Sequence, residues 1–229
     1  MATYFITGTD TDAGKTLVTA GLLALAQRHG LTTLGLKPVA SGCDLHAEGL
    51  RNEDALALQA HSHPEVDYAT INPFAYAPAI APHLAARQAG DRLHLATLTD
   101  AMADALALKR DLTLIEGAGG WRVPLNDDED LSDLADALQL PVILVVGLRL
   151  GCINHARLTA AAIRAQGLRL AGWVANGITT DFDEADDNLA SLGHHLPGPC
   201  LGRIPHLTGG PNAILPEQTA SYLKLPNLP

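Results

Sequence analysis

Short apolar runs alternate along this chain with longer segments in which apolar positions recur at helical spacing. The short runs are Tyr4-Phe5-Ile6-Thr7, Thr32-Thr33-Leu34-Gly35-Leu36-Lys37, Leu112-Thr113-Leu114-Ile115, Val142-Ile143-Leu144-Val145-Val146 and Leu170-Ala171-Gly172-Trp173-Val174-Ala175. The longer segments cover residues 17–28, 95–108, 131–139 and 155–166, and Gly30 is a natural stop for the first. Strands with no polar face must be covered on both sides, and strand–helix alternation is the pattern of parallel pairing. The sequence therefore predicts a doubly wound α/β fold, a mostly parallel sheet with helices on both faces. No linker, internal repeat or low-complexity tract interrupts the 229 residues, so one domain, 1–229, is expected.

Ligands of such sheets sit beyond the carboxyl ends of the strands. Each of those places here carries glycine or polar chemistry: Thr7-Gly8, Lys37, Glu116-Gly117-Ala118-Gly119-Gly120, Gly151-Cys152-Ile153-Asn154 and Asn176-Gly177. The first is the most specific. The segment from Tyr4 to Thr16 reads as a strand running into a phosphate-binding loop, Gly8-Thr9-Asp10-Thr11-Asp12-Ala13-Gly14-Lys15-Thr16. Backbone N–H groups and the positive end of the next helix attract phosphate oxygens, Lys15 reaches the terminal phosphates, and Thr16 suits Mg²⁺. Gly8 stands one residue further from Gly14 than the standard spacing allows, so either Thr9 fills the first glycine place or the loop is longer. The fold expected is P-loop NTPase-like.

Composition narrows the partners. A net charge of -10 disfavours nucleic acid and anionic membranes, so a phosphate site must be local. Cys43, Cys152 and Cys200 are odd in number and far apart, which suits a reducing cytoplasm better than a disulfide framework. With no signal-like segment and no apolar run of spanning length, a soluble cytoplasmic protein is expected.

Glu116 ends an apolar run, the place of an acid that holds Mg²⁺ directly or through water, although a strand-end acid alone is more often a solvated cap. Asp54, at the start of a helical segment, suits the helix dipole equally well. Lys37, in Lys37-Pro38-Val39-Ala40-Ser41-Gly42, is either a surface lysine or a group that stabilises charge during phosphoryl transfer. His61-Ser62-His63 precedes Pro64 and has no third ligand at a metal-binding spacing, His194-His195 suits an exposed helix end, and Cys152 suits a buried thiol. The acidic runs 126–130 and 181–184 read as solvated faces.

Taken in order, the Gly8 to Thr16 loop, Lys37 to Gly42, Glu116-Gly117-Ala118-Gly119-Gly120-Trp121 and Gly151-Cys152-Ile153-Asn154-His155 resemble the dethiobiotin synthetase family. That family's loop carries the extra residue. The similarity runs from about residue 3 to 207 and is weakest over 85–110 and 178–200. The resemblance implies ATP- and Mg²⁺-dependent carboxylation and ring closure of 7,8-diaminopelargonic acid with CO₂ or bicarbonate, through a carbamate and its mixed anhydride with phosphate, releasing ADP and phosphate. It implies Lys37 and Lys15 as catalytic residues and Thr16, Asp54 and Glu116 as Mg²⁺ ligands. ATP would meet Asp12, Ala13, Gly14, Lys15, Thr16, Leu17, Asp54, Glu116, Gly117, Ala118, Gly119, the adenine-reading Asn176, Gly177, Pro205, His206 and Leu207. The substrate would meet Thr11, Lys37 and Ser41, with its carboxylate at Gly151, Cys152, Ile153 and Asn154 across a homodimer interface. Some members carry a nucleotide-touching acid near position 212, where this chain has Asn212. The rival readings are another carboxylate-activating amide ligase of this fold and a partitioning-type ATPase switch. The switch carries an extra loop lysine where this chain has Asp10.

Overall fold

The computed structural model describes residues 1–180, 184–207 and 215–226. In chain order β1 (Ala2–Gly8) runs into α1 (Lys15–Arg28) and then β2 (Thr33–Leu36). Short strands β3 (Val39–Ser41), β4 (Asp44–His46) and β5 (Gly49–Arg51) precede α2 (Glu53–Ala60), α3 (Tyr68–Ile71), β6 (Phe74–Tyr76) and α4 (Pro82–Gln88). The second half comprises α5 (Leu95–Leu106), β7 (Leu112–Glu116), α6 (Ser132–Ala137), β8 (Val142–Leu148), α7 (Cys152–Ala165), β9 (Leu170–Gly177), α8 (Ala185–His195), β10 (Cys200–Ile204) and α9 (Leu215–Ala220).

The main sheet has the order β10-β9-β8-β1-β7-β2, and every neighbouring pair is parallel. Every residue of β7 and β8 is buried, so helices shield both faces of the sheet centre, as continuous apolar runs require. The chain passes from β1 out to β2, returns to β7, and crosses β1 to β8. The reversal of direction therefore lies at the end of β1, where the glycine-rich loop begins.

The predicted elements form with shifted ends. The helix expected over 155–166 starts earlier, at Cys152, and the strand expected over 32–37 ends at Leu36, with Lys37 beyond it. A sixth sheet strand, β10, was not expected. Its Gly202 and its exposed Arg203 break the apolar run, because an edge strand needs burial on only part of its surface. The parallel β3–β6 pair and the antiparallel β4–β5 hairpin are further additions. His194 and His195 lie exposed at the end of α8. His61 points its Nδ1 at the Ala57 carbonyl, 2.9 Å away, as a helix-end ring does. The acidic run after Asn126 is not simply solvated: Glu129 accepts the Leu95 N–H at 3.0 Å and caps α5, while Asp130 pairs with Arg122 at 3.1 Å. Among the described residues no helix is long and apolar enough to cross a membrane.

Candidate active site

Gly14 caps α1 in the left-handed region, φ 91°, which a side chain would strain. A Cβ there would also stand 2.1 Å from Asn176 Nδ2. The loop thus wraps the end of β9, and Asn176, itself buried, donates to the Ala13 carbonyl at 3.0 Å. The Lys15 ammonium folds back to the Asp10 carbonyl at 3.1 Å, and the Asp10 carboxylate pairs with Arg149 beyond β8. Burial, and secondly the nearby Lys37 charge, lower the Lys15 pKa.

Lys37 stands just past β2 and points across the tip of β7. Its Nζ donates to Glu116 Oε1 at 2.7 Å, Asp54 Oδ2 at 3.2 Å and the Gly117 carbonyl at 3.2 Å. Burial alone would lower its pKa, but the carboxylates of Glu116 and Asp54 outweigh it and hold the ammonium above the usual lysine value. Burial likewise pushes Asp54 up, and Lys37, the Thr16 hydroxyl and the Lys15 charge together more than reverse this, leaving the carboxyl below its usual range. Asn52 caps α2 by accepting the Ala55 N–H, and so presents Asp54 in the first helical turn.

Thr16 donates its hydroxyl to the same Glu116 Oε1 at 2.8 Å. Among the described residues Glu116 Oε2 is buried with no hydrogen-bond partner, an expensive arrangement unless something else satisfies it. Thr16, Glu116 and Asp54 together form an all-oxygen donor set with two carboxylates, which fits a hard cation such as Mg²⁺. Thr16, Lys37 and Asp54 line an open cleft of about 830 Å³, together with Thr11, Ser41, Ala118 and Gly119, while Glu116 is fully buried behind them.

A family model described as an AAA domain matches residues 2–210. The ATP-dependent dethiobiotin synthetase of Chromohalobacter salexigens is 66% identical over 99% of both chains. This chain belongs to the dethiobiotin synthetase family. The synthetase of Pseudomonas aeruginosa strain UCBPP-PA14 is 56% identical over 98% of this chain and 97% of its own. Among solved structures, the MinC:MinD cell division complex of Aquifex aeolicus superposes with TM-score 0.59 at 14% identity, covering 96% of this chain and 86% of that one. A ParA family ATPase from Chlorobium tepidum gives 0.58 at 11%, covering 96% and 97%. These two likenesses establish the P-loop NTPase-like fold.

Against the residues expected of a dethiobiotin synthetase, the structure gathers two groups. Lys15, Thr16, Lys37, Asp54, Ala118 and Gly119 line the cleft, with Asp12 on its rim; Glu116 and Gly117 do not line it but accept hydrogen bonds from Lys37, and Leu17 stands one residue beyond Thr16 in α1. Asn176 and Gly177 lie behind the loop with Pro205 and His206. A Cβ on Gly177 would stand 2.7 Å from the His206 nitrogen, and Leu207 follows directly. Gly151, Cys152, Ile153 and Asn154 do not line the cleft: they open α7 beyond β8, and Cys152 is buried with its Sγ 3.6 Å from Asn188 Oδ1. Asn212 lies outside the described residues. Sequence reasoning missed Asn52, Arg122 and the Ala79-Ile80-Ala81-Pro82 wall of the cleft. An asparagine just before two acids is an N-cap signal that marks Asn52, whereas nothing local marks the others.

Proposed function

We propose that this chain is an ATP-dependent dethiobiotin synthetase acting on 7,8-diaminopelargonic acid and CO₂. The observation that carries the reading is the buried Lys37 ammonium at the floor of a P-loop cleft, held by Glu116 and Asp54. One amine of the substrate adds to CO₂ and loses a proton, giving a carbamate. A carbamate oxygen then attacks the γ-phosphorus of ATP and ADP leaves. The second amine attacks the carbonyl carbon of the mixed anhydride, phosphate leaves, the amine loses a proton, and the ureido ring closes.

Loop amides and Lys15 bind the phosphates, and this binding exchanges the Asp10 carbonyl for phosphate oxygens on the Lys15 ammonium. Lys37 neutralises charge on the carbamate and on the phosphoryl group in transfer, from a site where little water screens it. Thr11 and Ser41, on the cleft wall, orient the diamine end. Thr16, Asp54 and Glu116 would hold Mg²⁺, whose charge favours departure of ADP. Asn176 retains its Oδ1 and one N–H for the adenine edge, with Gly177, Pro205, His206 and Leu207 around it. The α7 start at Gly151 to Asn154 would take the substrate carboxylate from a second copy, since it does not line its own cleft. Three free thiols accord with a cytoplasmic setting.

The test is ADP release from Mg-ATP and bicarbonate with and without the diamine, with the product identified by mass. Diamine-dependent release with a ureido product is expected. Release indifferent to the diamine would overturn the substrate assignment and return the amide-ligase reading.

A further inference from the structure

A single phenol connects the two segments that present Lys37 and Asp54. The Tyr68 hydroxyl accepts the Asn52 backbone N–H at 2.8 Å and donates to Asn72 Oδ1 at 2.9 Å. Because Oδ1 is thereby committed as acceptor, the buried Asn72 amide nitrogen faces backbone carbonyls and donates to Lys37 O at 2.7 Å and to Phe74 O at 3.3 Å. The Lys37 N–H in turn donates to Ile71 O at 2.8 Å. Lys37 has left β2 and precedes Pro38, so no sheet ladder holds its peptide groups; the chain around Tyr68 does so instead. On the other side, Asn52 caps the helix that carries Asp54, and the Arg51 guanidinium lies 4.3 Å above the Tyr68 ring and fixes the ring plane.

We infer that Tyr68 is a positioning residue for the reaction: through Asn72 it sets where the Lys37 ammonium stands relative to Asp54 and Glu116. The inference rests on the assignment of Lys37 as the charge-neutralising group. Tyr68 lines no part of the cleft and touches no reacting atom. Removal of its hydroxyl leaves Asn72 Oδ1 without its donor and frees the amide to turn, which lets the Lys37 backbone drift. Even a displacement of about 1 Å near a reacting centre lowers turnover without comparable loss of ground-state binding.

Two readouts on Tyr68→Phe in the full chain test it. In diamine-dependent turnover, kcat should fall about tenfold or more, while KM for ATP stays within about twofold. The same substitution in a Lys37→Ala background should cost far less, because the main group it positions is gone and only its hold on the Asn52 N–H remains. An equal loss in both backgrounds, or no loss in either, would overturn the inference. The second readout needs no activity: acetylation of lysines by a soluble acylating reagent, followed by mass spectrometry. Lys37 should label several-fold faster in Tyr68→Phe, while buried Lys15 and exposed Lys109 and Lys224 keep their wild-type rates. Unchanged Lys37 labelling, or acceleration at Lys15 as well, would refute a local positioning role. If wild-type protein ignores the diamine, the substrate assignment fails, and the labelling comparison still decides the role of Tyr68.

Discussion

Lys37 Nζ and Thr16 Oγ1 both donate to one oxygen of Glu116, at 2.7 and 2.8 Å, so the P-loop helix and the end of β2 meet on a single carboxylate. Its other oxygen is buried and has no hydrogen-bond partner among the described residues. One acid therefore serves two purposes: it keeps the lysine charged and in place, and it anchors the Thr16 hydroxyl at the start of α1. Two lysines lining one cleft are the arrangement expected where anionic oxygens accumulate in a transition state.

Lys37→Ala should lower kcat by about 10²- to 10³-fold, the range for loss of one preorganised donor at a developing charge. The Kd for Mg-ATP should change far less. Parallel loss of turnover and nucleotide affinity, measured by stopped-flow kinetics and calorimetry, would refute a role confined to the reacting state.

Thr16→Val keeps the side-chain volume and removes the hydroxyl that reaches Glu116. Nucleotide binding should lose most of its Mg²⁺ dependence, while the thermal midpoint moves by only a few degrees, as expected for about 1 kcal/mol of a lost hydrogen bond. A Mg²⁺ titration followed by fluorescent-nucleotide displacement checks this; an unshifted titration would remove Thr16 from the ligand set.

Gly14→Ala places a methyl group at φ 91° against the Asn176 amide. The left-handed conformation alone costs about 1–2 kcal/mol, and the contact forces Asn176 off the Ala13 carbonyl. ATP affinity should fall at least tenfold by calorimetry. Wild-type affinity in this variant would show that the loop tolerates a shape other than the one described.

Glu129 accepts hydrogen bonds from the Leu95 N–H and from Asn126, in that order of effect, and these hold its carboxyl below the usual range. A depressed folded-state pKa contributes stability that is present above the unfolded value and lost as pH falls through the folded one. Glu129→Gln keeps the acceptor and removes the charge, so wild type should exceed the variant in urea midpoint near neutrality, with the gap closing as the pH drops below about 4. A gap that persists in acid would assign the difference to packing instead.

The alternation of apolar runs and helical segments, the loop from Gly8 to Thr16, and the placement of Lys37 and Glu116 at strand ends were all legible in the chain. Burial on both faces dictates near-continuous hydrophobicity, and a phosphate loop dictates glycine, lysine and threonine at near-fixed spacing. These are local constraints, and a local pattern records them. Tertiary structure alone decided the rest. Thr16 and Glu116 are separated by 100 residues, and Lys37 and Glu116 by 79, so their convergence depends on β7 inserting between β1 and β2 in a particular register. The edge strand β10 is half-exposed and carries no continuous apolar signal, and the Tyr68–Asn72 link joins groups whose spacing signals nothing by itself. Periodicity reports how much of a residue is buried; which side chain it meets there is set by strand order and crossover, which no short window of sequence contains.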